Sequence, residues 1–271
     1  MYRIAINLKD ARYYQIATLG LLFVFQLIFS DFGSDLKVLS VTLFGAILGQ
    51  YCAQKYFSLP VLDLKSPLIT SLSLTLLLKT NFIWIYFLAA LLAMASKFLI
   101  RIGNKHIFNP ANIAIVALLL IAPYYVWISP GQWGSAVWFG FGLMCFAGLV
   151  LGHATRIDTA LFFLTSYVGL LLGRALWLGD PLDIAMHQMQ SGALLIFTFF
   201  MITDPKTTPD HRFGRFLFTF AVALIGFSLQ FSFQIREGLF YALAIVCIIR
   251  PIIDWLLVHE RFEWVTHKQK P

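Results

Sequence analysis

Long apolar runs broken by short polar stretches set the rhythm of this 271-residue chain. Eight runs predict membrane-spanning helices at about residues 14–29, 38–52, 82–94 (extending toward 99), 109–126, 134–151, 159–176, 216–231 and 239–257. Two more, at 67–78 and 191–202, are apolar but short. A full crossing takes ~20 residues, so neither crosses unaided. The short runs stand third and eighth, the same place in two sets of five. Paired short segments of this kind mark the binding region of repeat transporters.

A local match supports the repeat. Thr75-Leu76-Leu77-Leu78-Lys79-Thr80-Asn81 aligns without gaps to Thr198-Phe199-Phe200-Met201-Ile202-Thr203-Asp204, each at the end of its short run. Five spans per half turn the second half upside down. The expected fold is therefore an all-α integral membrane domain of about ten helices, built as two inverted five-helix repeats at about 14–126 and 134–257 with a polar tail at 258–271. No polar stretch is long enough for a separate soluble domain, so 1–271 reads as one polytopic domain.

Composition agrees. The chain is 59% hydrophobic and 12% charged, against roughly 45–50% and 25% in soluble domains. Its net charge of +7 then reflects cations flanking spans rather than nucleic-acid binding. Of the 20 Lys and Arg, only Lys37, Lys79, Arg174 and Arg236 fall at one set of span ends, with Arg250 inside the last span. The rest gather at the other ends, together with both termini. That asymmetry predicts a bacterial-type inner membrane with both termini cytoplasmic. It also places Asn109 and Asp204 on one side. No cleavage motif follows the first run, which reads as an uncleaved span. Cys52, Cys145 and Cys247 lie in apolar runs without C-x-x-C spacing and read as small hydrophobes.

Two polar stretches interrupt this scaffold: Asn104–Asn112 and Thr203–Asp210. Each contains an Asx-Pro at a span boundary, Asn109-Pro110 and Asp204-Pro205. Such pairs suit a helix cap and a Pro-set turn. They equally suit unwound backbone lining a polar pocket, which is tolerated at membrane depth only where protein or water covers it. Asn109 and Asn112 share one helical face, and amides suit a heterocycle with alternating donors and acceptors, such as a flavin ring. His106, His153 and His211 all fall at the same span ends, so a haem pair is a lesser alternative. Arg250 and Asp254, at i and i+4, read as a local ion pair. No nucleophile elbow, P-loop or zinc motif appears.

The run Lys105-His106-Ile107-Phe108-Asn109-Pro110-Ala111-Asn112, with Ser191-Gly192-Ala193 leading into Phe199-Phe200-Met201-Ile202-Thr203-Asp204-Pro205-Lys206-Thr207-Thr208-Pro209, resembles the NqrB/RnfD family. Those proteins are membrane subunits of ion-pumping NADH:quinone and ferredoxin:NAD oxidoreductases. The resemblance implies inverted five-helix repeats, a likeness to urea transporters, and flavin: FMN joined to a threonine, and riboflavin. The flavinylated Ser-Gly-Ala-Thr-like motif is not found between Val126 and Ser191, and Leu194 follows Ser191-Gly192-Ala193. No covalent flavin is therefore expected, and the chain reads as a compact, divergent member. The resemblance implies an electron-carrying or supporting subunit rather than a self-contained enzyme, with other redox subunits and the lipid bilayer as partners. A non-covalent riboflavin or FMN would contact Asn109, Asn112, Asp204, Lys206 and Thr207, with no metal. The competing expectation is a cofactor-free channel whose path is lined by the Ser/Thr-rich run at 67–78, with Thr75 and Thr198 on it.

Overall fold

A computed structural model describes residues 10–29, 35–59, 62–103, 105–129 and 156–259. The expected sixth span, His153, Cys145 and the tail beyond 259 lie outside the described residues. The helices are α1 (Ala11–Phe29), α2 (Leu36–Tyr56), α3 (Lys65–Leu77), α4 (Ile83–Leu99), α5 (Pro110–Ile121), α6 (Ile157–Leu178), α7 (Leu182–Met189), α8 (Gly192–Ile196), α9 (Arg212–Phe231) and α10 (Gly238–Leu256). A π-helical turn, Phe197–Met201, continues α8. Four short strands complete the order: β1 (Leu78–Thr80), β2 (Arg101–Ile102), β3 (Lys105–His106) and β4 (Val126–Ile128).

Among the described residues, five helices are long and apolar enough to cross a membrane, or six if α7 and the segment Gly192–Met201, bent by 55°, form one span. Leu21, Ile28, Phe44, Leu161, Phe220, Ile248 and Ile252 point outward from these helices. An apolar outside is the solution for a chain solvated by lipid. The short segments do the opposite. Every residue from Thr70 to Lys79 is buried, as is nearly every residue from Gly192 to Thr203. The long helices thus form a jacket, and the short ones lie within it. The hydroxyls of α3 are accommodated by its own backbone: Ser71 donates to Leu68 O and Thr75 to Ser71 O.

Packing follows the same plan in each half. α2 packs on α4, which packs on α5; α6 packs on α9, which packs on α10. The halves meet where α5 touches α10. Small residues allow the close approaches. A Cβ on Gly49 of α2 would lie 2.8 Å from Met94 Cβ on α4. One on Gly226 of α9 would lie 2.6 Å from Leu239 Cδ2, and one on Gly238 would lie 2.9 Å from the Gly226 carbonyl oxygen.

Several elements differ from the sequence expectations. The span expected at 109–126 stops at Ile121, and Val126–Ile128 pairs antiparallel with Leu78–Thr80, so that Lys79 faces Trp127. Trp127 is therefore a strand residue and not part of a turn. The physical reason is length: α3 has 13 residues and α5 has 12. At 1.5 Å per helical residue and about 3.3 Å per strand residue, α3 plus β1 reaches about 30 Å, the thickness of a hydrocarbon core. The strands pair each other's polar groups, as burial demands. A second hairpin joins β2 to β3, with Gly103 at φ +59° in its turn. Finally, an amphipathic helix, α7, occupies the stretch after the Gly179-Asp180-Pro181 break, where only a connection was expected.

Candidate functional site

Asn109 begins the site. Its backbone is extended, and its side-chain oxygen accepts from the Asn112 amide at 3.1 Å, capping α5 with Pro110 in the first turn. This local chemistry follows from sequence: an Asn N-cap satisfies an otherwise orphaned amide, and proline at the next position has none to lose. The cap orients the Asn109 Nδ2 outward, and it donates to Asp204 Oδ2 at 3.4 Å. The two Asx-Pro stretches therefore meet.

Asp204 is held by its own turn. Its Oδ1 accepts from the Lys206 amide at 3.0 Å, and its carbonyl accepts from the amides of Thr207 and Thr208 and from both their hydroxyls. Thr207 is fully buried. Its hydroxyl serves that turn, while Lys206 is half-buried at the rim. Asn112 points inward, with Nδ2 donating to Phe240 O on α10 at 3.1 Å. It is 1% exposed, and its Oδ1 has no hydrogen-bond partner.

His106 completes the cluster. Its Nδ1 lies 2.8 Å from Phe108 O. A carbonyl can only accept, so Nδ1 carries the hydrogen and a neutral ring presents a lone pair at Nε2. Nε2 sits 3.9 Å from Asp204 Oδ2. Burial lowers the His106 pKa, more than the Asp204 carboxylate raises it. The neutral ring and the carboxylate are then two acceptors facing each other, an arrangement that invites a donor between them.

Next to this cluster lies a buried ionic network that sequence reasoning missed as a unit. Lys105 Nζ reaches Asp210 Oδ2 at 2.6 Å and Asp254 Oδ2 at 3.6 Å. Arg156 donates to Pro209 O at 2.9 Å and to Asp210 Oδ1 at 3.3 Å. Arg250 bonds Asp254 at 2.9 Å and also His106 O at 3.3 Å, while the Asp210 amide donates to Asp254 Oδ1 at 3.1 Å. The Arg250–Asp254 pair is thus not merely local, but ties α10 to both polar stretches. Arg215 extends the network through Asp158 and Asp210 O. Burial lowers the Lys105 pKa against the opposing pull of Asp210. Lys105 and Asp210 both stood in the polar stretches, but nothing in their spacing pairs them.

Among the described residues no group of His, Cys, Asp or Glu could hold a metal ion. Cys247 is buried and Cys52 is exposed.

Comparison with known proteins gives a consistent result. The sequence profile described as the NQR2, RnfD, RnfE family matches residues 129–263. A relative from Klebsiella pneumoniae (strain 342), named as the RnfD component of an ion-translocating oxidoreductase complex, is 30% identical over 145 residues, covering 52% of this chain and 40% of the relative. Proteins of the same name from Escherichia coli (strain SE11) and Shigella sonnei (strain Ss046) are each 29% identical over 138 residues, covering 49% of this chain and 38% of the relative. Each match therefore spans about two fifths of the relative's length.

Proposed function

Because the chain belongs to the NQR2, RnfD, RnfE family, we propose that this multi-pass membrane protein is a subunit of an ion-translocating electron-transport complex. It holds a non-covalent flavin, riboflavin or FMN, at the junction of the Asn109 and Asp204 stretches. Its partners are the other subunits of that complex. The junction lies on the cytoplasmic side of a bacterial-type inner membrane, with both termini on the same side; the crowding of cations at that end supports this orientation. The scaffold is a pair of inverted five-helix repeats. The parallel packing orders α2–α4–α5 and α6–α9–α10 and the buried short segments in each half support it.

One observation carries the flavin reading: Asn109 Nδ2, Asp204 Oδ2 and His106 Nε2 converge at 3.4 and 3.9 Å, too long for mutual satisfaction. They offer a donor beside two acceptors. The imide edge of a flavin carries carbonyl oxygens flanking an N–H, which is the complement of that set. Asn109 would bind a ring carbonyl, and the Asp204–His106 pair would accept the ring N–H. Lys206 stands at the rim, where a phosphate would lie. Asn112 and Thr207 hold the backbone that presents these groups. The flavin supplies one- and two-electron chemistry; the protein supplies orientation and a dry environment. Asp204→Ala and Asn109→Ala are expected to lose co-purifying flavin and electron transfer together. Unchanged flavin content in both would overturn the assignment.

A second reading, a cofactor-free channel, has one observation of its own. A cavity of about 10 Å³, lined by Gln26, Leu77, Ser129 and Ala193 among others, lies between the end of α3 and the start of α8. That is room for about one water. Solute flux into liposomes that falls on changing Thr75 and Thr198 would favour this reading.

A further inference from the structure

The two short segments match in sequence but end differently. In the first half, Thr75 Oγ1 donates to Ser71 O at 2.8 Å, and Lys79 Nζ donates to Thr75 O at 3.3 Å. The carbonyl end of this half-length helix thus holds an ammonium group that the chain itself supplies. In the second half, Thr198 stands where Thr75 does, and Ile202 stands where Lys79 does. There the helix widens into the π turn Phe197–Met201, and such turns recur at functional sites. Thr198 is 0% exposed, and its hydroxyl has no hydrogen-bond partner. A helical Thr normally donates to the preceding turn, as Thr75 does.

A second orphaned oxygen belongs to the same region. Asn112 lies one helical turn inward from Asn109, and Thr198 lies six residues inward from Asp204, while Asn109 and Asp204 touch. Asn112 binds the carbonyl of Phe240, whose ring packs 5.3 Å from that of Phe197, the neighbour of Thr198. With Nδ2 on that carbonyl, Oδ1 is the free acceptor, and it too is buried without a partner. Buried oxygens are rarely left so, because each costs about 1–3 kcal/mol.

We propose that the Thr198 hydroxyl and the Asn112 amide oxygen belong to a binding site for a dehydrated monovalent cation, in the place that the Lys79 ammonium occupies in the other half. Neutral oxygens suit a small monovalent ion, whereas divalent ions call for carboxylates. Ends of half-length helices are established cation loci in repeat proteins. The proposal rests on the inverted-repeat scaffold, but not on bound flavin.

The test is the melting temperature of the purified protein as NaCl, LiCl or KCl replaces choline chloride at constant ionic strength. Wild type and Thr198→Ser, which keeps the oxygen, are expected to gain several degrees in at least one of the three salts. Thr198→Val, of equal size but without the oxygen, is expected to show less than a third of that gain. A wild type indifferent to the cation overturns the site, as does a Thr198→Val protein that keeps the full gain. Should the valine variant not fold, broadening of the ²³Na signal by wild type, reversed by LiCl but not by choline, decides the matter in its place; no broadening overturns the site. Flavin content read on the same samples separates failure here from failure of the cofactor assignment.

Discussion

Lys105 and Asp210 come from the two polar stretches, and their side chains meet at 2.6 Å with exposures of only 6% and 7%. The contact joins the β2–β3 hairpin of one half to the loop before α9 in the other. Burying two charges is costly, and their attraction repays the cost only while both remain.

Asp210→Ala should therefore destabilise the protein by about 3–5 kcal/mol, because it strands Lys105 and removes an acceptor from Arg156. Lys105→Met with Asp210→Leu should cost clearly less than Asp210→Ala alone. Thermal denaturation in one detergent checks both, and an additive double variant would contradict the pairing.

Asn109 performs two tasks that can be separated. Asn109→Ser keeps the N-cap on Asn112 but cannot reach Asp204, so stability should change by less than about 0.5 kcal/mol while flavin is lost. Asn109→Ala also forfeits the cap, at about 1 kcal/mol. Melting temperatures and flavin-to-protein ratios of the two variants provide the comparison.

Acid should weaken the fold through His106. Its folded pKa lies below the ordinary 6.5, so the unfolded chain takes up the proton first. Stability contributed by the neutral ring is complete above about pH 6.5 and is lost as pH falls below it. His106→Gln should flatten the slope of stability against pH between about 6.5 and 5. An unchanged slope would show that other groups set it.

At the start of α1, Arg12 bonds both Asp10 and Asp63, and Lys65 bonds Asp10, clamping α1 to α3. Burial would raise the Asp10 pKa, but hydrogen bonds from Arg12 and Lys65 outweigh it and lower the value to about 2. The ionised carboxylate stabilises above the ordinary 3.8, and that contribution is lost as pH falls toward 2. Asp10→Asn should lower the melting temperature at pH 7, and the gap to wild type should close toward pH 2.

Glycine positions should sort by what they face. Gly238→Ala places a Cβ 2.9 Å from the Gly226 carbonyl, which cannot yield, and should cost about 1–3 kcal/mol. Gly20→Ala meets nothing within 4 Å and should be neutral or stabilising, since alanine favours helix. Melting temperatures of the pair measure the contrast.

The apolar runs revealed the long helices to within a few residues, because lipid outside and protein inside both demand apolar side chains over about 20 residues. The Asn109 cap was equally legible, being a local rule. The β1–β4 ribbon was not. Leu78 and Val126 are buried, so three-residue strands there blend into the neighbouring apolar helices without alternation. The π turn had no signal either, since Phe197–Met201 continues an apolar helix. The ionic network failed for another reason: Lys105, Arg156, Asp210 and Arg250 are brought together only by tertiary packing, and spacing along the chain says nothing of it.

The absorption spectrum of the protein, extracted together with its lipids by an amphipathic polymer and then precipitated with acid, tests the flavin site most directly. Flavin bands near stoichiometric amount that move wholly into the acid supernatant are expected. A protein without flavin bands would contradict the site, and flavin retained in the pellet would contradict its non-covalent attachment.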